Sequence, residues 1–167
     1  MGEIEEGEDE GDFEDEKDPN EEGESSDEDE EEKLDALEHD EIILGNTSDV
    51  VNSLAKAFGD SFLPYFSILI TKMEPYLSDS HPKNDRNMII GCIAEVFRSC
   101  PSAIPPYYQA YYQVVMKNAQ SSTDLTSLAH NLAFGLGVLA EKAQHYFEAN
   151  LDQTLQTLSM IFHGTTE

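Results

Sequence analysis

Apolar residues recur at intervals of three and four positions from about residue 34 to the end of the chain, and no stretch sustains strand-like alternation. This spacing is typical of amphipathic helices that bury one face. The sequence therefore predicts an all-α domain of six or seven helices.

The first predicted helix is acidic, covers about 33–44 and stops at the Gly45-Asn46 pair. A second begins at Ser48 or Asp49, which are good N-cap residues, because their side chains accept bonds from the first helical amides. Its apolar face carries Val50, Val51, Leu54 and Phe58, and Gly59 ends it. Further helices are predicted over about 61–77, over 84–99, from Pro105-Pro106 to Met116, after a Thr123-Asp124 cap, and over the last apolar stretch.

Each later helix has its own apolar stripe. Pro64 is tolerated in a first turn, and Pro75 is expected to end or kink its helix. The stripes are Phe62, Phe66, Leu69, Met73 and Leu77, then Ile89, Ile93, Val96 and Phe97, then Leu125, Leu128, Leu132, Leu136 and Leu139, and in the last helix Leu151, Leu155, Leu158 and Phe162.

Three similar pentapeptides stand near helix ends, Leu54–Phe58, Ile93–Phe97 and Leu139–Ala143, at spacings of 39 and 46 residues. Helix pairs at a period of about 40 to 47 residues are the signature of HEAT or armadillo repeats. We therefore predict an α-solenoid of about two and a half to three HEAT repeats over residues 34–167. Met160 and Phe162 have no following helix to cover them, so we expect the chain to be part of a longer solenoid.

Charge is distributed unevenly along the 167 residues, which carry 35 acidic and 9 basic side chains and a net charge of −26. Residues 1–33 hold 20 of the acids and two lysines. So few apolar residues and so much repulsion predict a disordered acidic segment, because little burial offsets the entropy of ordering. The balance argues against nucleic acid as a direct partner and favours basic proteins.

No segment reads as a secretory signal or a membrane span, so no membrane insertion is expected. Cys92 and Cys100 lie eight positions apart in one helical pattern, about 12 Å along the axis, too far to bridge. They are interpreted as buried reduced thiols of an intracellular protein.

Two strings, Arg86–Glu95 (RNMIIGCIAE) and Asn131–Glu141 (NLAFGLGVLAE), resemble consecutive inner helices of importin-β-type receptors (karyopherins), in the branch of importin four and its fungal counterpart. Ser53–Phe66 and the acidic segment before it are similar to that branch too. Ala129 stands where the family pattern places an arginine, so any ladder of Asp and Arg across repeats is incomplete here.

The resemblance implies a nuclear import receptor that wraps basic cargo such as histones or ribosomal proteins, binds nucleoporin FG repeats, and releases cargo to the Ran GTPase. The main Ran contacts of the family lie in N-terminal repeats outside this chain. It implies a location in the cytoplasm, the nucleus and the nuclear pore. The alternative is an acidic HEAT-repeat chaperone or assembly scaffold for basic proteins that is not a transporter; FG binding and sensitivity to Ran-GTP distinguish the two.

The densest part of the acidic run is the candidate site for basic cargo, and the alternative is a solubilising linker. Its residues are Glu21, Glu22, Glu24, Asp27, Glu28, Asp29, Glu30, Glu31 and Glu32. Ser25 and Ser26 have acids three positions later, which predicts phosphorylation by acidophilic kinases.

Four tyrosines on one predicted helix, Tyr107, Tyr108, Tyr111 and Tyr112, form i, i+4 pairs. They are candidates for a nucleoporin pocket, since FG pockets of such receptors lie between outer helices. The alternative is solenoid core with the hydroxyls at its rim.

Gly135-Leu136-Gly137 lacks the preceding strand and third glycine of a nucleotide site, and we interpret it as close helix packing. The five histidines form no i, i+4 pair with each other or with a cysteine, so no metal site is expected. No cofactor is implied, and no nucleophile has a base placed by a motif, so the chain is predicted not to be an enzyme.

Overall fold

A computed structural model describes the backbone of residues 21–121 and 126–164 and the side chains of 39–120 and 128–163. Over these ranges the chain is helical and contains no strand. The predicted all-α solenoid is thereby confirmed.

Within the described ranges seven α-helices follow one another, with short 3₁₀ turns between several of them. Their bounds are α1 Glu21–Phe58, α2 Leu63–Met73, α3 Lys83–Ser99, α4 Ile104–Ser121, α5 Thr126–Lys142, α6 Gln144–Phe147 and α7 Leu151–Gly164. The 3₁₀ turns cover Gly59–Phe62, Glu74–Leu77, Pro101–Ala103 and Glu148–Asn150.

Helix α1 corrects the sequence-based prediction, because it runs without a break through Gly45-Asn46, where two helices were expected. A glycine in a helix interior costs only about 1 kcal/mol, which burial of Val51 and Ala55 against the rest of the domain outweighs. The predicted end is confirmed: Gly59 takes the left-handed φ of 53° directly after Phe58.

Residues 21–33, where the sequence predicts disorder, lie within α1 as the structure describes it. Glutamate is a good helix former, and acidic residues in the first turns interact favourably with the helix dipole. The chain divides into two units between Leu37 and Glu38. A boundary after Lys33 stays a prediction.

The two prolines act as predicted. Pro64 lies in the first turn of α2. That helix ends at Met73, and the chain tightens into a 3₁₀ turn around Pro75. Helix α3 matches its predicted range within one residue, and α4 extends to Ser121, beyond the predicted Met116. The predicted cap at Thr123-Asp124 lies outside the described residues.

The helices of the second unit, Glu38–Glu167, form two layers. In the first layer, α3 lies between α1 and α5, and hydrogen bonds join the successive helices. In the second layer, α4 lies between α2 and α7. Hydrogen bonds between successive helices of a layer span 38 to 44 residues of sequence. This spacing equals the HEAT period. The core centres on α3, where Ile89, Ile93, Val96 and Phe97 are fully buried.

Candidate protein-binding surfaces

The tyrosine stripe of α4 divides into two groups. Tyr108, Tyr111 and Tyr112 are buried, each 3 or 4% exposed, whereas Tyr107 is half-buried. The structure therefore places three of the four candidate pocket residues inside the helix stack.

Tyr111 points from α4 into the first layer, where its hydroxyl donates to the Ile90 carbonyl of α3 at 3.0 Å. Its ring meets Phe97 edge to face, with centroids 5.1 Å apart. Burial raises the pKa of this phenol far above its ordinary value. A Cβ at Gly135 of α5 would overlap the Tyr111 hydroxyl, so this glycine makes room for it. Close packing, predicted for the Gly135-Leu136-Gly137 stretch, is confirmed at Gly135, whereas Gly137 faces open space.

Tyr108 and Tyr112 connect α4 to the next helix pair. The Tyr108 hydroxyl donates to the Tyr146 carbonyl at 3.1 Å and accepts from the Asn150 amide at 3.3 Å. The Tyr112 hydroxyl lies 3.1 Å from the Thr154 hydroxyl, which itself donates to the Asn150 carbonyl. Burial raises the pKa of Tyr108. These bonds give buried phenols partners, as buried polar groups require.

A groove separates α2 from α4 and encloses about 390 Å³. Its walls are Ser67, Ile70 and Thr71 of α2, Glu74, Leu77 and Ser78 of the turn after it, and Tyr107, Ala110, Tyr111 and Val114 of α4, and Ile93 contributes from α3. Tyr107 contacts Phe66 edge to face at 5.6 Å. This largely apolar slot between successive helices of the second layer is the place where the tyrosine stripe reaches the surface.

A second groove, of about 500 Å³, lies between α4 and α7. It is the repeat equivalent of the first, but polar, with Gln109, Gln113, Gln120 and Gln153 among its lining residues. Gln113 of α4 lines this second groove at the position that Thr71 of α2, one repeat earlier, holds in the first groove. The first groove therefore suits an apolar side chain of a partner, and the second suits a polar one.

Asparagines connect the first layer. The Asn131 amide donates to the carbonyl and to the side-chain oxygen of Asn87, both at 3.0 Å. A Cβ at Gly91 would come within 2.9 Å of that amide, so Gly91 leaves space for it. This neutral pair joins α3 to α5 and gives the first layer a polar bond between repeats.

Cys92 and Cys100 are free and buried, as the sequence predicts. Cys92 contacts the Asn52 side chain at 3.4 Å and the Ser48 carbonyl at 3.8 Å across the α1 and α3 boundary. Burial raises the pKa of the Cys92 thiol to about 11, and burial raises that of Cys100 as well. Burial therefore favours the protonated thiol at both positions.

Asp79 connects the turn before α3 to both layers. Its carboxylate pairs with Arg86 and lies 2.7 Å from the Lys117 ammonium of α4. The Lys117 hydrogen bond and charge hold the pKa of Asp79 below its ordinary value.

The nine acidic candidates between Glu21 and Glu32, and the serines Ser25 and Ser26, lie in the part of α1 whose side chains are not described. Their assignments as cargo-binding and phosphorylation sites stay predictions.

Sequence reasoning missed the amide pair between α3 and α5. The signal was present, since Asn87 and Asn131 stand 44 residues apart, one HEAT period. It also did not foresee that the second layer carries one apolar and one polar groove, because which side of α4 faces which neighbour depends on the stacking.

Among the described helices, none by itself is long and apolar enough to cross a membrane. Helices α3 and α4 meet that test of length and composition only together, and they are bent by 119° at the break between them.

Comparison with known proteins shows which proteins this chain is similar to. Residues 5–79 match the family model described as importin repeat 6. The chain is 27% identical over 131 residues to a probable importin subunit beta-4 of Schizosaccharomyces pombe, an alignment covering 78% of this chain. It is 25% identical over 122 residues, or 72% of this chain, to importin-4 of Homo sapiens. Importin-4 of Mus musculus is 26% identical over 75% of this chain.

The chain spans only 11 to 12% of the length of these relatives. No solved structure matches it. The stacked helix pairs, the 38- to 44-residue period of their cross-repeat bonds and similarity over most of the sequence agree with one another. The chain therefore resembles importin-β-type (karyopherin) receptors over most of its length and is a HEAT-repeat segment similar to the importin-4 branch.

Proposed function

We propose that this chain is part of a nuclear import receptor that carries basic proteins such as histones or ribosomal proteins, without enzymatic activity. The observation that supports this most is the similarity to importin-4 over about three quarters of the chain. Because the chain spans about an eighth of its relatives, cargo transport and release to Ran-GTP belong to the longer receptor. Its location would be the cytoplasm, the nucleus and the nuclear pore.

We assign cargo binding to the acidic run from Glu21 to Glu32. Nine carboxylates within twelve positions present a dense negative charge. An exposed ion pair contributes only about 0.2–1 kcal/mol, so the effect arises from the number of pairs and from faster association.

A lysine-rich histone-tail peptide, titrated by isothermal calorimetry, tests this assignment. Replacing the nine carboxylates by their amides should weaken binding at least tenfold and reduce its salt dependence. A variant with the same twelve residues in shuffled order keeps the charge and should bind like the original chain. Equal affinity of the amide variant would show that the run is a solubilising linker.

Phosphates on Ser25 and Ser26 would each add about −1.5 to −2 charges to this run. We expect the doubly phosphorylated chain to bind the same peptide more tightly at low salt. Mass spectrometry of native material, showing both serines unmodified, would remove this regulation from the proposal.

We assign nucleoporin binding to the groove between α2 and α4. Its largely apolar lining, with Glu74 at one end, and its volume of about 390 Å³ suit a phenylalanine side chain. Within the tyrosine stripe, Tyr107 and Tyr111 line it, whereas Tyr108 and Tyr112 face the following helix pair.

Placing a charge in this groove tests the assignment without removing a buried tyrosine. Ala110 is exposed and lines the groove, so Ala110→Glu should lower FG-peptide affinity at least tenfold. Gln109→Glu adds the same charge to the polar groove on the other side of α4 and should have little effect. If both variants bind the FG peptide as the original chain does, the groove is not the nucleoporin site.

A further inference from the structure

The polar groove between α4 and α7, which we call the glutamine groove, is lined by exposed carboxamides. They belong to Gln109, Gln113 and Gln120 of α4 and to Gln153 of α7. No hydrogen bond joins any of these four carboxamides to another described residue. In contrast, the amide of Asn150, which lines the same groove, donates to the Tyr108 hydroxyl. The four glutamines are therefore available to a partner.

The glutamine groove carries little charge, although the chain has a net charge of −26. Its lining residues include no carboxylate, and their one cation, Lys117, pairs with Asp79 at 2.7 Å. A lysine-rich segment therefore gains no ion pair from the lining of this groove. The groove suits a peptide main chain instead, because each carboxamide can both donate to a carbonyl and accept from an N–H group.

Only the width of α4 separates the glutamine groove from the apolar groove between α2 and α4. Neighbouring residues of α4 line opposite grooves: Ala110 and Val114 line the apolar one, and Gln109 and Gln113 the polar one. Packed helices lie about 8–10 Å apart, and an extended chain advances about 3.3 Å per residue. About three residues therefore carry a peptide across α4 from one groove to the other.

The spacing of the glutamines matches an extended chain. Gln109 and Gln113 lie one turn apart on α4, with a rise of about 6 Å between them. In an extended segment the main-chain groups that face one side recur every second residue, at about 6.6 Å. A segment that lies along the groove can therefore bond to both glutamines at once.

We propose that the glutamine groove binds the main chain of an extended, uncharged polar segment that begins about three residues from a phenylalanine held in the apolar groove. This inference rests on the assignment of nucleoporin binding to the apolar groove, and it adds a requirement on the residues beside the phenylalanine. Gln109 and Gln113 are then specificity-determining residues. They select partners whose flanking residues are serine, threonine, asparagine or glutamine, because charged side chains meet no opposite charge in this groove.

Two synthetic peptides, titrated with the full chain by fluorescence anisotropy, test this proposal. The long peptide has one Phe-Gly pair with six alternating serines and asparagines on each side, and the short peptide keeps two on each side and does not reach the glutamine groove. We expect the original chain to bind the long peptide about tenfold more tightly, as two or three added hydrogen bonds allow. The double variant Gln109→Ala/Gln113→Ala should lose this advantage and bind the short peptide as the original chain does.

Gln144→Ala/Gln156→Ala is the matched control, because it removes two exposed helical carboxamides outside the groove and should bind both peptides like the original chain. Circular dichroism of every variant establishes that the helices are retained. Equal affinity of the original chain for the two peptides would overturn the proposal, as would a long-peptide advantage that persists without Gln109 and Gln113.

Ala110→Glu separates this proposal from the one on which it rests. That variant should bind both peptides more weakly, because it places a charge in the apolar groove. If Ala110→Glu changes neither affinity, the apolar groove is not the phenylalanine site and the proposed path across α4 is wrong. If neither peptide binds the original chain, both proposals are overturned, whereas failure of the glutamine variant alone overturns only this one.

Discussion

Tyr111 and Gly135 show how much of this molecule depends on single contacts. The phenol of α4 reaches α3 through its hydrogen bond to Ile90 and lies against the backbone of α5. One side chain thus joins three helices from both layers. The sequence singles out Tyr111 and Gly135 separately, but it does not show that the two residues contact each other.

We expect Gly135→Ala to lower the free energy of unfolding by about 1–3 kcal/mol, because its Cβ overlaps the Tyr111 hydroxyl and neither helix can easily shift. Gly137→Ala is the matched control, since its Cβ meets nothing within 4 Å. That change should be neutral or stabilise by up to about 1 kcal/mol through helix propensity. Urea denaturation of both variants measures the difference, and equal stabilities would show that Tyr111 does not fill this space.

Cys92 predicts a dependence of stability on alkaline pH. Its pKa is raised from 9.0 to about 11, so the unfolded chain loses this proton before the folded chain does. The stabilisation is complete below pH 9 and declines as pH rises to 11, by on the order of 2 kcal/mol. Comparison with Cys92→Ala isolates this effect from tyrosines and lysines that titrate nearby. Parallel pH profiles for the two chains would contradict it.

At the scale of elements, α1 and α7 depart most from expectation. Local signals predict a break at Gly45-Asn46, yet α1 continues through it. In α7, Leu151, Leu155 and Phe162 of the predicted apolar stripe are exposed and Leu158 is half-buried against the core, whereas Thr154, Thr157 and Ile161 are buried. Helical periodicity correctly predicts that each segment is a helix, but it does not state which neighbour a face meets.

The continuity of α1 is testable with Gly45→Ala. A Cβ at this position makes an ordinary contact with the Met88 sulfur at 3.6 Å, so nothing must shift. Within an unbroken helix, alanine should raise the free energy of unfolding by about 0.8–1 kcal/mol. Thermal unfolding followed by circular dichroism measures this, and a loss of stability would indicate a helix end at this point.

At the scale of the whole molecule, negative charges far outnumber positive ones, so most charge pairs repel each other. The chain has 35 acidic and 9 basic residues, so screening should remove more repulsion than attraction. The melting temperature should rise as salt increases from about 0.01 to 1 M, where the Debye length falls from about 30 to 3 Å.

The variant with nine amides between Glu21 and Glu32 is the control for this salt effect, because it removes the densest charge and should show a smaller rise. A melting temperature that falls with salt would mean that ion pairs such as those of Asp79 with Arg86 and Lys117 dominate instead.

The sequence by itself determines the helical class, the HEAT period, the concentration of charge in residues 1–33 and the burial of both cysteines. These properties follow from local spacing and composition, which are present in the chain before it folds. The tertiary structure alone decided that Tyr108, Tyr111 and Tyr112 are buried while Tyr107 stays half-buried at a groove, and that Leu151 and Leu155 of α7 are exposed. These outcomes depend on how successive helix pairs stack, because a helix face acquires its role only from the neighbour that covers it.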